Sequence, residues 1–215
     1  MSTTGHREGL RSSRALTKRT ERRKERTRRL LKEVALALFY EKGLYWTTVE
    51  DITDRADVGK GTFYHYFPTK EALILTLLHD GHDQVLDRVR EAVSTARPGG
   101  PAVSAATRAL LDFYAERPDF LLLFHQIRGF LQLRTAGAKE LHDAYAKHLD
   151  ELGRAVKRAF NGRAAATTHR GLGIVFSAFT SGLITYHLLF GKAGELKRRR
   201  DHLQRQIERS IYALA

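Results

Sequence analysis

Cysteine is absent from this chain of 215 residues, and methionine and tryptophan occur once each. Without a thiol the protein forms no disulfide, performs no thiol catalysis and lacks the best zinc ligands. The sequence also contains no phosphate-binding glycine loop, nucleophile motif or metal-peptidase spacing. We therefore predict that the protein is not an enzyme and needs no cofactor or metal.

Long uncharged segments are scarce as well. The chain begins with charged residues and no apolar segment follows them, so we expect no signal peptide. Residues 171–191 lack Asp, Glu, Lys and Arg, and their length would span a bilayer. Serine, threonine and histidine dilute this segment, and a helix that is apolar on every side is also typical of a buried interface. We expect no membrane partner and a cytoplasmic location.

Positive charge, in contrast, is in excess. The chain has 37 Lys and Arg against 24 Asp and Glu, a net charge of +13, which favours a polyanionic partner. Residues 1–30 carry eleven Lys or Arg and three acids, with no apolar periodicity before Leu30. We predict a basic flexible tail over residues 1–24 that either contacts DNA phosphates and a minor groove or serves only solubility.

Residues 48–67 have the pattern of two short helices joined by a tight turn. Thr48 or Thr47 is suited to cap the first helix, and Glu50 stands where it would complete a capping box with Thr47. Asp57 tolerates a left-handed turn at the end of this helix. The pattern predicts a change of chain direction there.

The second short helix is expected to end before Pro68. Phe63 and Phe67 are four residues apart and are predicted to face the core. The remaining positions carry side chains that donate hydrogen bonds, namely Lys60, Thr62, Tyr64, His65 and Tyr66. Such a surface suits phosphates and base edges, so residues 48–67 predict a DNA-binding motif.

This region resembles the helix-turn-helix of the TetR family of bacterial regulators. The matching positions are Thr48, Ile52, Ala56, Val58, Gly61, Thr62, Phe63, Tyr64, Tyr66, Phe67, Lys70, Glu71 and Leu73. The resemblance covers about residues 25–85 when the preceding amphipathic helix is included. Two positions depart from the family pattern: Asp57 replaces a usual Gly, and Gly59 replaces a frequent Ser that would offer a hydroxyl to phosphate.

The resemblance implies roles for single residues. Thr48, Tyr64 and Lys70 would hold phosphates, which position the protein without selecting a sequence. The residues implied to face the major groove are Lys60, Gly61, Thr62, His65 and Tyr66, with Gly61 allowing the backbone close to a base. The implied partner is double-stranded DNA with a palindromic operator, and the implied setting is the bacterial nucleoid.

The rest of the chain is expected to be helical, because apolar residues recur every three or four positions beyond Glu71. The predicted helices span about 28–43, 48–56, 60–67, 70 onward with a bend at Gly81, 102–116, 118–134, 138–160, 165–190 and 195–214. We predict an all-α fold of about nine helices. It comprises a three-helix DNA-binding domain over 25–85 and a larger C-terminal domain for ligand binding and dimerisation over 86–215.

The last two helices are the predicted dimer interface, since one recognition helix reads too few base pairs for specificity. The residues assigned to this interface are Phe176, Phe179, Gly182, Leu183, Leu203, Ile207 and Ile211. The other interpretation is that these helices complete the core of one subunit.

A small hydrophobic or amphipathic effector is expected in the C-terminal domain. The aromatic residues that suit the wall of an apolar cavity are Phe113, Tyr114, Phe120, Phe124, Phe130, Tyr145 and Tyr186, with His125 and Arg128 as polar groups. Arg128 suits a carboxylate or a phosphate. Aromatic residues at helical spacing are more often core than pocket, and a histidine such as His125 is more often a buried polar group with its hydrogen bonds satisfied.

Two alternatives remain open. His79, His82 and Asp83 have a spacing that suits a metal, although a solvated helix face explains them as well. The function predicted from these patterns is a homodimeric repressor released from its operator by the effector. The alternative is a nucleoid-associated or division-linked DNA-binding adaptor whose C-terminal domain recruits a protein.

Overall fold

The computed structural model describes residues 4–131, 138–160, 168–190 and 195–214. Within these ranges every regular element is a helix, which confirms the all-α prediction. The helices are α1 (Thr4–Lys42), α2 (Val49–Arg55), α3 (Lys60–Tyr66), α4 (Lys70–Thr95), α5 (Gly100–Glu116), α6 (Pro118–Leu131), α7 (Ala138–Lys157), α8 (His169–Phe190) and α9 (Glu195–Leu214). A single 3₁₀ turn, Arg158–Phe160, follows α7.

Helix α1 begins at Thr4 and is 39 residues long, so it runs through residues 4–24, where we predicted a basic flexible tail. The described side chains from Lys18 to Arg26 are exposed, so this part of the helix forms without a buried face. Arg, Lys, Glu, Ala and Leu favour helix wherever they stand. The tail prediction was based on the absence of apolar periodicity. Such periodicity indicates that one face of a helix is buried, so its absence does not exclude a solvent-exposed helix.

The first three helices form one small unit around buried apolar side chains. Phe39 of α1, Ile52 of α2 and Phe63 of α3 are at most 1% exposed. Arg28 places its guanidinium 5.4 Å from the centre of the Phe67 ring, which ties α1 to the end of α3. The position of α3 is therefore set by its packing on α2, which in turn packs on α1, and by this contact of α1 with Phe67.

Helix α4 runs from this unit into the larger C-terminal body. Its first half buries Leu73 and Leu77, and its second half buries Val85 and Val89. Helix α4 continues through Gly81, where a bend was expected, without interruption. A methyl group built on Gly81 would lie 2.6 Å from the Phe120 ring, so this glycine serves close packing of α6 on α4.

Helices α7 and α8 approach each other most closely at two glycines. A methyl group on Gly153 would overlap the carbonyl oxygen of His169, and one on Gly173 would overlap that of Leu149. Helix α9 covers α5 and α8. None of the helices described is long and apolar enough to cross a membrane.

Candidate nucleic-acid interface

The N-terminus of α2 is closed by a capping box. The amide of Asp51 donates to Oγ1 of Thr48 at 3.1 Å, and the amide of Thr48 donates to the Asp51 carboxylate at 2.7 Å. Hydrogen bonds from Lys42 and then from Thr48 hold the pKa of Asp51 below its usual range. The predicted alternative of Thr47 with Glu50 was wrong, because Thr47 is buried and donates to the Gly43 carbonyl.

The turn after α2 uses the left-handed conformation predicted for Asp57, whose φ is 52°. The amide of Val58 donates to the carbonyl of Thr53 at 3.0 Å and closes the turn. Gly59 then caps α3 in an extended conformation, without a side-chain hydrogen bond. The first amides of α3 are left without a side-chain acceptor, an arrangement that favours anions such as phosphate.

Helix α3 has a buried face and a polar face. Phe63 is fully buried and Phe67 is 2% exposed, as predicted. The other predicted DNA contacts on α3 all lie off the buried face: Lys60, Gly61, Tyr64 and His65 are exposed, and Thr62 and Tyr66 are partly buried. Tyr66 packs against the core with part of its ring. The exposed residues lie on one short surface that extends to Thr48 at the start of α2.

Lys60 is paired with an acid on the neighbouring helix. Its ammonium contacts the Glu50 carboxylate, and this hydrogen bond raises the pKa of Lys60. Both side chains are solvent-exposed, so the pair contributes little and Glu50 would be displaced from Lys60 by a phosphate or a base edge at small cost.

Lys70 lies in a different environment from the one implied by the resemblance. Its Nζ donates to the carbonyls of Thr47 at 3.0 Å and Leu44 at 3.2 Å. Burial lowers the pKa of Lys70. In this conformation the ammonium fastens the segment between α1 and α2, and a phosphate contact would have to share it.

Basic side chains continue this surface along α1. Among the described residues the exposed ones are Lys18, Arg19, Arg22, Arg23, Lys24, Arg26 and Arg29. Lys24 pairs with Glu21 and Arg29 with Glu33, while the remaining cations face solvent. A row of cations beside a polar helix is the electrostatic footprint expected of a DNA-binding surface.

The predicted effector residues occupy three kinds of environment. The rings of Phe113, Phe120 and Phe124 are at most 3% exposed and pack on each other, with Phe120 centred 6.1 Å from Phe113 and 6.2 Å from Phe124. In this conformation they form core, and their role as the wall of an effector cavity stays a prediction. Helical spacing does not distinguish the two cases.

Tyr186 also departs from its predicted place, since it is 59% exposed on α8. Tyr114 is buried. The side chain of Phe130 lies outside the described residues. Arg128, Tyr145 and His125 are partly buried. A hydrogen bond of 2.7 Å joins His125 to Thr185.

A surface groove of about 460 Å³ lies elsewhere, between α4 and α7. Its lining residues are Arg90, Glu91, Ser94, Glu151, Arg154, Ala155 and Arg158. None of them is a predicted effector residue. We give it no role, because its arginines stand among acids in an open surface.

The residues predicted for the dimer interface divide into some that are buried within one chain and some that are at least partly exposed. Phe176 of α8 and three residues of α9, namely Leu203, Ile207 and Ile211, have no exposed surface in a single chain. These four complete the core of one subunit, so their assignment to a dimer interface was wrong. Gly182 is exposed, and Phe179 and Leu183 are partly buried.

Sequence reasoning missed a clamp between the two parts of the molecule. Gln126 of α6 accepts a hydrogen bond from the amide of Leu44 and donates one to the carbonyl of Phe39 at 3.0 Å. Both partners lie more than 80 positions away in the sequence. A glutamine on a helix gives no pattern that predicts such a partner.

A second missed feature is a pair of buried imidazoles. The rings of His82 on α4 and His148 on α7 stack with centres 3.5 Å apart and planes 7° apart. His79 and Asp83 are exposed, so His82 faces away from both of its suggested metal partners. The described residues contain no group of three side chains placed to hold a metal.

The comparison with known families agrees with the motif. Residues 31–77 match the family described as bacterial regulatory proteins, tetR family. The HTH-type transcriptional repressor KstR2 of Mycobacterium tuberculosis is 45% identical over 69 residues, 32% of this chain and 34% of that protein. The HTH-type transcriptional regulator YuxN of Bacillus subtilis is 33% identical over 93 residues, 43% of this chain and 32% of YuxN. The chain thus spans about a third of the length of these relatives.

Solved structures show the same fold over nearly the whole chain. A TetR family transcription regulator from Marinobacter aquaeolei has a TM-score of 0.70 at 17% identity, covering 90% of this chain and 97% of that one. Salmonella enterica GusR has a TM-score of 0.66 at 18% identity, covering 87% and 94%. The matched motif and the related regulators agree: residues 31–77 form a domain of the tetR family of bacterial regulatory proteins, and the chain as a whole shares the fold of the solved structures.

Proposed function

We propose that this protein is a sequence-specific regulator of transcription that binds double-stranded DNA as a homodimer and represses until a small effector releases it. The observation that carries the proposal is the polar face of α3. Its Lys60, Tyr64 and His65 are exposed beside the N-terminus of α2, on a core that leaves them little freedom to reorient. A short rigid helix of this kind enters a major groove.

The described surface offers one face suited to self-association. On α8 the exposed residues repeat every four positions, and the stripe consists of Ile174, Ala178, Gly182, Tyr186 and Phe190. Ile174, Tyr186 and Phe190 are 48%, 59% and 74% exposed, which is unusual for large apolar side chains. Two copies packed through this stripe would present two recognition helices to one palindrome.

Gln126 supports the mechanism of release. It lies on α6 between His125 and Arg128, and its side-chain amide hydrogen-bonds to the main chain of Leu44 and Phe39, in the segment that leads into α2. Lys70 at the start of α4 grips the same segment. An effector that favours a shifted α6 would therefore move α2 and α3 together, provided that it binds the shifted state more tightly.

The test is selection of binding sites from a random duplex library, followed by affinity measurement at several salt concentrations. We expect a palindrome whose half-sites lie about one helical turn apart, roughly 34 Å. Recovery of dispersed sites without a consensus, with binding lost in moderate salt, would contradict the proposal and favour the architectural adaptor.

Gly61→Ala is expected to weaken operator binding by about tenfold or more while leaving the melting temperature unchanged or slightly higher. A methyl group at Gly61 meets nothing within 4 Å in the free protein, but it would stand where the backbone approaches a base. Fluorescence anisotropy with the selected operator measures the effect. Gly129→Ala is the control, because that glycine is equally open on α6. Equal affinity of Gly61→Ala and wild type would remove Gly61 from the interface.

Gln126→Leu is expected to speed hydrogen exchange at the Leu44 amide, on the order of 5- to 100-fold, because the amide loses its acceptor. Exchange followed by mass spectrometry on a peptide spanning residues 40–48 measures it. Gln84→Leu serves as the control, since Gln84 is exposed on α4. Unchanged exchange at Leu44 would show that Gln126 does not hold this segment in solution.

A further inference from the structure

Polar side chains from four helices meet beneath the aromatic core of the C-terminal body. They are His82 of α4, Arg128 of α6, Tyr145 and His148 of α7, and Ser177 and Ser181 of α8. We call this group the Arg128 cluster. Buried polar groups are rarely brought together by four helices unless they hydrogen-bond to one another or bind a ligand.

The partners that hold the guanidinium of Arg128 are neutral in every case that the described residues provide. Its Nε donates to the Tyr145 hydroxyl at 2.6 Å, and its Nη2 donates to Ser177 at 3.2 Å and Ser181 at 3.3 Å. Its carbon also lies 5.6 Å from the centre of the Tyr145 ring. Among the described residues no carboxylate pairs with it, and its Nη1 donates to none of them. Arg128 is thus oriented and partly buried, with two N–H groups to spare.

The two histidines leave further hydrogen-bonding capacity unused. Nε2 of His82 and Nδ1 of His148 are buried and have no partner among the described residues. Each ring is 3% exposed. An unpaired buried nitrogen is costly, and two of them in contact are unexpected in a site whose only role is packing.

The stacked geometry argues against a metal as the missing partner. Parallel rings direct their nitrogen lone pairs along parallel or opposed lines, whereas one metal ion needs lone pairs that converge. A partly buried cation without a counter-ion calls instead for an anion. The two remaining N–H groups lie on Nη1 and diverge, so they offer few donors to one anion. A carboxylate, with two acceptor oxygens, is better matched to them than a phosphate, which needs more donors.

We propose that the effector is an organic monocarboxylate with an apolar body, whose carboxylate pairs with Arg128 and whose body lies against Tyr145 and Phe124. The inference rests on the proposed function and names the chemical class of its effector. The hydroxyls of Tyr145, Ser177 and Ser181 hold the guanidinium in the orientation in which it would pair with the carboxylate. The unpaired histidine nitrogens supply additional polar partners once α6 moves aside. Arg128 is two positions from Gln126 on the same helix. A shift of α6 on pairing with the carboxylate would therefore displace the hydrogen bonds of Gln126 to Leu44 and Phe39.

The experiment measures binding of octanoate and 4-phenylbutanoate, their methyl esters and octylammonium to the full chain by calorimetry and thermal shift. We expect both carboxylates to bind at least about tenfold more tightly than their esters, because a charge-assisted pair to arginine is lost in the ester. Arg128→Gln should abolish this preference. Arg90→Gln, which removes an exposed arginine of α4, should retain it.

Esters or octylammonium that bind as tightly as the carboxylates would overturn the inference. So would a carboxylate preference that survives Arg128→Gln, or the absence of carboxylate binding to a wild-type chain at millimolar concentration. The melting temperature of ligand-free Arg128→Gln shows whether the variant is folded. If it is not, Tyr145→Phe replaces it, because this variant keeps the ring and loses only the hydroxyl that orients Arg128, and its carboxylate preference should fall.

The outcome is separable from that of the proposed function. A chain that selects a palindrome but binds no carboxylate remains a regulator with a different effector. A chain that binds carboxylates through Arg128 but selects no DNA sequence would refute the regulator and leave the binding site intact.

Discussion

Gly173→Ala is expected to destabilise the fold by about 3 kcal/mol or more, at the upper end of what overpacking costs. A methyl group at Gly173 would overlap the carbonyl oxygen of Leu149 and lie 2.7 Å from its carbonyl carbon. These are main-chain atoms of α7, so no side chain can turn aside to make room. The two helices must separate along their whole contact.

Thermal denaturation measures the effect, and for a chain of this length about 3 kcal/mol corresponds to a fall in melting temperature of roughly 10 °C. Gly153→Ala should behave alike, because its methyl group would meet the carbonyl of His169 on α8. Gly129→Ala is the matched control and should be neutral or stabilising by up to about 1 kcal/mol, since alanine favours helix. Equal melting temperatures for Gly173→Ala and Gly129→Ala would show that α7 and α8 lie further apart than described.

Acidification from pH 7 to pH 5 is expected to remove roughly 3 to 4 kcal/mol of stability through His82 and His148. Burial, together with the nearby Arg128 cation, lowers the pKa of His148 to about 3. Burial and the neighbouring His148 and His79 lower the pKa of His82 well below its usual value. The charged and titratable groups around the pair are His79 on α4, Arg128 on α6 and Tyr145 on α7.

The sign follows from the direction of these shifts. Both imidazoles stay neutral in the folded chain, whereas the unfolded chain takes up protons near pH 6.5. Their contribution is therefore fully present above about pH 6.5 and declines as the pH falls toward the folded pKa, by about 1.4 kcal/mol per pH unit for each histidine.

Denaturant unfolding at a series of pH values measures this slope. His148→Phe should roughly halve the slope of stability against pH between pH 6.5 and pH 5, since phenylalanine keeps an aromatic ring in place but has no nitrogen that titrates. His202→Gln, at an exposed position on α9, should leave the slope unchanged. A His148→Phe chain with the wild-type slope would show that His148 is protonated, or exposed, in the folded protein.

The DNA-binding motif was the most predictable part of this protein. Thr48, Asp57 and Phe63 act through their own backbone or through neighbours within a few positions, so their roles are legible in the sequence. The hydrogen bonds of Gln126 to Leu44 and of Lys70 to the Thr47 carbonyl join distant segments, and no local sequence pattern predicts them.

The C-terminal body was predictable as helices but not as a site. Phe113 and Phe120 have the same spacing whether they line a cavity or fill a core, and only packing makes them core. Leu203 and Ile207 form an apolar stripe that would suit a partner chain equally well, but α5 and α8 already bury it.

The sequence by itself determined the helical class, the turn at Asp57, the polar face of α3 and the excess of positive charge, because these follow from local propensity, spacing and composition. Tertiary structure alone decided which apolar faces meet within one chain, that α8 keeps Ile174 and Tyr186 exposed, and that Arg128 meets hydroxyls and no acid of the described part of the chain. The physical reason is that burial and pairing depend on residues far apart in the chain, whose meeting is fixed only when the helices pack.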